Sequence, residues 1–532
     1  MLILFYREPD SYQNKNNRTL NSTRQLFIFI RLIRAAMKGT FILSDILLIA
    51  PGWGHIYGRF QSLSRRFNFQ PPLGLCYLSS ALKSAGYRTK IVDAEAQNLN
   101  TQAVIQEALS HHWDAIGISA TTPIYPAAVN LAISLKQQFR GPILLGGPHA
   151  TIVREKAFHP SGCFDYLTCG EAERTIVSLM DTLMSAGDIS NIPGLVIREG
   201  NEIRFTGSTE RKKNLDDIIF PDRTDLQPHN YLWSVPRRGL VPTTSVMFSR
   251  GCPFECTFCA QDNMYGRTVR YRSAENMLRE FEEIIENTRF RHFVFNDDTL
   301  TVNRERIAEL AQGIIKRGFN ITFECETRAS LLDRELVALM REAGLVRINI
   351  GIESGDPDIL KKLKAGITLD DVKSSLRLLK SFGIETRGSV IIGAPYERRE
   401  TVLRTLKFIA DLKDLDQPYI NIAAPYPGTA MRDMALRGEG GTKLLSTDCG
   451  SLIRYGSAAM EVNDLTAADL VRLQKWGLRR AYLRPKRLWY NINRAGLRTG
   501  FLNGIAFLKS TMQISGRQDI KSSRRKALSS GE

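Results

Sequence analysis

The sequence has no apolar run long enough to cross a bilayer; the nearest approach, Leu26 to Ile33, is short and carries Arg31 inside it. It has no Ser/His/Asp set and no H-E-x-x-H segment, so hydrolytic chemistry has nothing to rest on. No G-x-G-x-x-G follows the first strand-like segment, which disfavours a dinucleotide ligand. Cysteine is sparse, 8 in 532 residues, and no cleavable secretory signal is read, so a reducing cytoplasm is expected. An even spread of positive charge is also missing. Residues 472–532 hold 15 Lys/Arg against 2 Asp/Glu and residues 1–38 hold 7 against 2, which leaves 50 against 51 in between. A nucleic-acid enzyme would carry its charge across the working domain, so no nucleic-acid partner is expected. Basic ends on a neutral body fit a peripheral contact with an anionic surface such as the inner face of a membrane. Ends that only aid solubility fit equally well. Residues 1–42 read as a basic arm, with an interfacial helix as the alternative.

What is present centres on Ser249 to Cys259. Cys252, Cys256 and Cys259 form C-x3-C-x2-C in a Gly/Pro-punctuated loop, a compact soft-ligand cluster that reads as a metal site. Structural zinc wants four Cys or His ligands, yet the next histidine is His292 and the next cysteine Cys325. Three thiolates on a four-iron cluster would leave one iron open to a substrate. Zinc, a redox disulfide and a buried apolar group stay as alternatives. The spacing, with the aromatic Phe258 just before the last Cys, resembles the radical S-adenosylmethionine (SAM) superfamily signature. The resemblance implies a 4Fe-4S cluster whose open iron chelates SAM, cleavage of SAM to a 5'-deoxyadenosyl radical, and an external electron donor of the flavodoxin or ferredoxin type.

At this length two or three domains are expected. From Asp45 strand and helix patterns alternate: strands at Asp45 to Ala50, Arg88 to Val92, Ala115 to Ser119, Ile143 to Leu145 and Tyr166 to Thr168, separated by helices. Such alternation predicts an α/β, doubly wound, Rossmann-like parallel sheet over 43–186, with its ligand beyond the carboxyl ends of the strands. At those ends stand Pro71-Pro72-Leu73-Gly74, the Ser119 to Thr122 turn, Gly146-Gly147-Pro148-His149 and Gly170-Glu171. That arrangement resembles the cobalamin-binding domain found ahead of radical SAM domains. On the resemblance, Pro71, Leu73, Gly74, Thr121, Gly146, Gly147, His149, Gly170 and Glu171 should contact cobalamin, with Gly146 and Gly147 letting the backbone approach it. Where a cobalt-ligating histidine would follow D-x-H-x-x-G, this chain has Trp53-Gly54-His55-Ile56-Tyr57-Gly58, without the orienting carboxylate. His55 therefore reads as a loop residue, with cobalt ligation as the alternative.

Residues 187–242 read as a connector with a hairpin at Gly194 to Phe205. A second series follows over 243–460, with strands expected at Ser245 to Phe248, His292 to Phe295, Ile321 to Cys325, Arg347 to Ile352, Thr386 to Ile392 and Tyr419 to Ala423. Six such units predict a partial (β/α)6 TIM-like barrel with function at the carboxyl ends of its strands. Those ends carry Asp297-Asp298, Glu326-Thr327-Arg328, Glu353-Ser354 and Pro425-Tyr426. They resemble the cobalamin-dependent radical SAM class, which includes the anaerobic cyclases of magnesium porphyrins. The resemblance implies that Glu353 and Ser354 contact SAM and that Phe258 meets its adenine. Arg328 pairs either with the SAM carboxylate or with Glu326. Asp297, Asp298 and Tyr426 are rim or substrate residues, with helix capping before Arg304 as the other reading of Asp298. Helices are expected over 461–515, ahead of a basic tail at 516–532.

The leading expectation is a methyltransferase acting on an unactivated carbon of a small, hydrophobic or lipid-like substrate. A radical oxidoreductase or cyclase of the Mg-protoporphyrin ester type is the runner-up, and a cobalamin-binding sensor with a degenerate radical domain is the reading from another class.

Overall fold

The computed structural model describes residues 44–53, 70–485, 487, 488 and 490. The arm, His55 and the tail lie outside the described residues, as does most of the expected helical region beyond residue 482. Strands β1 (Asp45–Ala50), β2 (Arg88–Asp93), β3 (Ala115–Ser119), β4 (Ile143–Gly146) and β5 (Tyr166–Thr168) pair in parallel in the order β2-β1-β3-β4-β5. The hairpin β6 (Leu195–Glu199) and β7 (Glu202–Phe205) extends this sheet antiparallel. Strand side chains alternate between faces, so Ile46 and Leu48 of β1 enter one core while Leu47 and Ile49 enter the other. Strand order reverses between β1 and β3, which places the ligand crevice of such a sheet beside Pro51-Gly52 and Ala120-Thr121.

The second sheet contains β8 (Leu232–Val235), β9 (Gly239–Val246), β12 (His292–Phe295), β13 (Thr322–Thr327), β14 (Leu345–Glu353), β15 (Glu385–Ile392) and β16 (Gln417–Ile422). Its order is β16-β15-β14-β13-β12-β9-β8: six parallel strands in chain order, with β8 antiparallel on the edge. The sheet does not close, as expected of a partial barrel. Its first strand is displaced from the expected Ser245 to Phe248: it runs from Gly239 to Val246 because residues 232–246 form a hairpin and the chain then turns away at Phe248. Two further strands, β10 (Ser249–Arg250) and β11 (Arg270–Tyr271), make a separate ribbon.

Amphipathic helices Ala274–Asn287, Arg304–Lys316, Arg334–Glu342, Leu369–Ser381 and Arg399–Asp411 cover the barrel, and Ala467–Tyr482 packs on β16. The short helices Pro148–Val153, Gln261–Met264 and Pro357–Leu363 were not expected; each is too brief to show a 3.6-residue period. One apolar core runs from Ile46 and Leu75 of the first unit through Phe248 and Phe281 to Leu478. Among the described residues no helix is long and apolar enough to cross a membrane.

Candidate active site

The three-cysteine loop hangs from the β10–β11 ribbon, in which Arg250 stands opposite Arg270. Gly251 opens the loop at φ +110°, and a Cβ there would run into the carbonyl of Thr268, so only glycine fits. Inside the loop Cys252 N donates to Gly266 O (3.1 Å) and Cys259 N to Cys256 O (3.0 Å). Thr257 ties it to the barrel, its N–H donating to Leu363 O (3.1 Å) and its carbonyl accepting from Met431 N (2.8 Å). Phe258 is half-buried and packs against a small apolar cluster that includes Ile359, Leu363, Ala423 and Met431.

Cys252, Cys256 and Cys259 are all half-buried and unbridged. Burial pushes the Cys259 thiol up to about 11 and raises that of Cys256, where Lys364 and Arg328 pull the other way. Arg328 is buried, with Nη1 3.9 Å from Cys256 Sγ, Nη2 donating to Ala365 O (2.5 Å) and its guanidinium 3.9 Å over the Phe254 ring. It does not pair with Glu326, whose carboxylate accepts from Asn349 Nδ2 (2.8 Å). Arg328 Nε is buried with no partner. Cys252 Sγ lies 3.7 Å from Thr299 Oγ1. Among the described residues no three His, Cys, Asp or Glu side chains converge closely enough to hold one ion. Three half-buried thiols, with cations beside one of them to favour thiolate, fit a cluster that leaves one iron to a ligand.

At the end of β14 the register slips between Gly351 and Glu353, a bulge that puts Glu353 at φ +63°. Burial raises the Glu353 carboxyl against the pull of Lys364, whose Nζ stands 3.2 Å from Oε1 and donates to Gly351 O (2.9 Å). A side chain on Gly351 would occupy the place of this ion pair. Sequence reasoning missed Lys364, because nothing in the spacing marks a lysine eleven residues beyond the bulge as its partner. Ser354 is fully buried and turned inward: its Oγ lies 3.0 Å from Thr405 Oγ1 and accepts from Asp356 N (3.1 Å).

The two neighbouring aspartates do different things. Asp297 is buried and accepts from Phe248 N (3.0 Å), Ser249 N (2.5 Å) and Ser249 Oγ (2.5 Å), so it fixes the exit from β9 into the ribbon. Burial holds its carboxyl up at about 6. Asp298 is half-buried beside Cys259 and is pushed up to about 7 by burial, then by Asp297 and Glu326. Its capping alternative is overturned: Asn303 caps helix Arg304–Lys316, accepting from Arg306 N (3.0 Å). Tyr426 is half-buried in a turn closed by Thr429 Oγ1 donating to its carbonyl (2.7 Å).

On the first unit the expected contacts divide. The helix Leu73–Ser84 has Pro72 before it, no side-chain cap and no acidic residue in its first turn. Gly74 there is exposed, with nothing within 4 Å of where a Cβ would stand. Thr121 is exposed at the turn after β3, whereas Pro71 and Leu73 are buried. Leu73 N donates to Pro71 O (2.8 Å) and Leu75 N to Pro72 O (2.9 Å), so what this helix start offers a bulky ligand is the open face of Gly74. Gly146 and Gly147 serve the chain's own packing instead: a Cβ would lie 2.8 Å from Thr168 Oγ1 at the first, and at the second, where φ is +91°, 2.7 Å from Ser119 Oγ. His149 is buried, its Nδ1 3.2 Å from Thr122 Oγ1 and its ring 4.1 Å from that of Tyr125, and burial lowers its pKa to about 4. Gly170, at φ +80°, donates its N–H to Thr151 Oγ1 (3.0 Å). Glu171 is taken up by Arg250 and Arg270.

The two units pack on each other beside the cysteine loop. Helix Pro148–Val153 packs on helix Gln261–Met264 just beyond Cys259, and Ile152 lies against Gly428. The turn after β3 packs on residues 449–451.

Comparison with known proteins agrees with this arrangement. The profile of the Radical SAM superfamily matches residues 246–409 and that of the B12 binding domain matches residues 64–180. An uncharacterized methyltransferase of Pyrococcus horikoshii is 31% identical over 78% of this chain and 88% of its own length. The anaerobic magnesium-protoporphyrin IX monomethyl ester cyclase of Cereibacter sphaeroides is 27% identical over 83% of this chain and 72% of its own. The hopanoid C-3 methylase of Methylococcus capsulatus is 26% identical, with 67% of each chain covered. Among solved structures, the cobalamin-dependent SAM radical enzyme OxsB shares the fold at a TM-score of 0.67 and 17% identity, over 92% of this chain and 71% of that one. Two matched profiles in this order, together with a methyltransferase 31% identical over most of both chains, place the chain in the cobalamin-dependent radical SAM methyltransferase family, enzymes that use a 4Fe-4S cluster, SAM and cobalamin.

Proposed function

We propose that the enzyme methylates an unactivated carbon of a hydrophobic, lipid-like small molecule, with electrons from an external flavodoxin- or ferredoxin-type donor. The observation that supports this reading is the packing of helix Pro148–Val153 of the first unit on helix Gln261–Met264, just beyond Cys259, which brings the two cofactor-bearing units together beside the cluster loop. When bound, the cluster and SAM supply a hydrogen-abstracting radical, and cobalamin supplies the methyl group. Cys252, Cys256 and Cys259 hold the cluster. Glu353 with its partner Lys364, and Arg328 beside Cys256, offer both charges that an α-amino acid end requires, so these three take the methionine moiety of SAM. Phe258 offers its ring to adenine. Ser354 acts indirectly, holding the turn after the bulge through Thr405 and the Asp356 backbone. Asp298 and Tyr426 front the substrate side, and Asp297 fixes the cluster loop to β12.

The hydrophobic substrate is supported by the likeness to a hopanoid methylase and by the C-terminal surface. There Trp476, Leu483 and Leu488 are exposed, with the Arg480 guanidinium 5.5 Å over the Trp476 ring, a combination suited to a lipid interface. The test is anaerobic turnover with a reductant, methyl-deuterated SAM and a total lipid extract. A labelled carbon-bound methyl group in the lipid fraction supports the proposal. 5'-Deoxyadenosine together with an unlabelled, oxidised product supports instead the cyclase chemistry to which the Cereibacter relative points.

A further inference from the structure

The two arginines of the β10–β11 ribbon are directly opposite one another and almost fully buried, Arg250 at 4% exposure and Arg270 at 8%. Like charges facing across a strand pair repel, and a buried guanidinium without a counter-charge is strongly unfavourable. Among the described residues, every carboxylate that pairs with them comes from the other unit, just beyond the end of β5. Glu171 Oε2 accepts from Arg250 Nη1 (2.9 Å) and Arg270 Nη1 (3.2 Å), and its Oε1 pairs closely with Arg270 Nη2. Glu173 Oε1 accepts from Arg250 Nη2 (2.6 Å). The Arg250 guanidinium also lies between Tyr77 of the first unit, at 5.2 Å, and Tyr265 of the cluster loop, at 5.7 Å. Together Arg250 and Arg270 hold the Glu171 carboxyl below the usual range despite its burial. Arg250 is two residues before Cys252, and the ribbon is the neck through which the whole loop enters and leaves.

We infer that Glu171 and Glu173 are positioning residues: they close the neck of the cluster loop and fix it against the cobalamin-binding unit, so that the two cofactor sites keep one mutual geometry. The second half of this inference rests on the function proposed above; the first half does not. Without the two carboxylates the ribbon would bring two unpaired cations together, and the loop could not hold its three thiols in place.

The test uses the full chain in two states. In the cofactor-free protein, hydrogen exchange is followed in peptides covering residues 249–271 for Glu171→Ala, Arg270→Ala and the double variant. The expected result is exchange at least about tenfold faster in this segment for each single variant, with helix Ala467–Tyr482 unchanged and the double variant no worse than the worse single one. Should Glu171→Ala fail to fold, Glu171→Gln keeps the volume, removes the charge and is expected to give the same pattern. In protein loaded with cob(II)alamin and reduced cluster, the magnetic coupling between the two spins is expected to weaken in Glu171→Gln, a change that mere loss of stability does not produce. Exchange within twofold of wild type in a folded variant, additive effects in the double variant, or unchanged spin coupling would overturn the inference. A wild-type protein that binds no cobalamin would sink the functional reading and leave the exchange result standing.

Discussion

Asp297 shows how a single carboxylate serves the site without touching a ligand. Three donors from Phe248 and Ser249 converge on it, and each would be buried and unpaired if it were removed. Asp297→Ala is expected to lower stability by about 3 kcal/mol in urea unfolding, the cost of orphaned buried donors. Glu397 is the other telling residue. It is fully buried; one carboxylate oxygen accepts from Gly393 N (2.5 Å) and Ala394 N (2.9 Å), and the other has no partner. Burial raises it to about 8 from an ordinary 4.5, so between those values the folded chain keeps a proton that the unfolded chain has released. Its stabilising contribution is therefore complete below pH 4.5 and lost as pH rises through 8. Glu397→Gln, which mimics the protonated acid, is expected to raise Tm relative to wild type at pH 9 and to leave it close to wild type at pH 5.

Secondary-structure elements place the site through their ends. Helix Arg304–Lys316 is capped by Asn303, one short turn (Leu300–Val302) beyond the Asp297-Asp298 rim. Asn303→Ala is expected to cost about 1 kcal/mol by thermal unfolding without changing cluster loading. The ribbon is less tolerant. Gly251→Ala puts a methyl group against a backbone carbonyl at a positive φ, so iron and sulfide content after reconstitution should fall well below wild type while circular dichroism keeps its shape. The bulge in β14 belongs to this scale too: without the slip at Gly351, strand alternation would carry the side chain of Glu353 to the other face, away from Lys364.

For the molecule as a whole, the C-terminal end separates anchoring from surface contact. Arg487 is buried and donates to five carbonyls, those of Leu415, Ala410, Ala481, Ile409 and Leu412, and Tyr490 Oη donates to Glu385 Oε2 (2.5 Å). A chain ending at residue 483 should therefore melt several degrees lower, as judged by calorimetry. A chain ending at residue 490 keeps these bonds and should lose flotation with vesicles rich in anionic lipid, since the whole basic tail is gone. Equal flotation by the shortened and full chains would remove the membrane from the functional picture.

Sequence alone determined the local and repetitive features. Apolar runs broken by Gly and Asp marked all five parallel strands of the first sheet and five of the six in the barrel, because period and turn chemistry are written locally. Cys252, Cys256 and Cys259 carried the family resemblance that implies their cofactor, since all three stand within eight residues of one another. Tertiary structure decided what depends on residues far apart in the chain. It turned Gly146 and Gly147 inward against Thr168 and Ser119, gave Glu353 its lysine, and buried the Ser354 hydroxyl against Thr405. It also gave Glu171 to Arg250 and Arg270, 79 and 99 residues away. A carboxylate at a strand end looks the same in sequence whether it meets a ligand or another domain; only the packing of the two sheets settles which charge it faces.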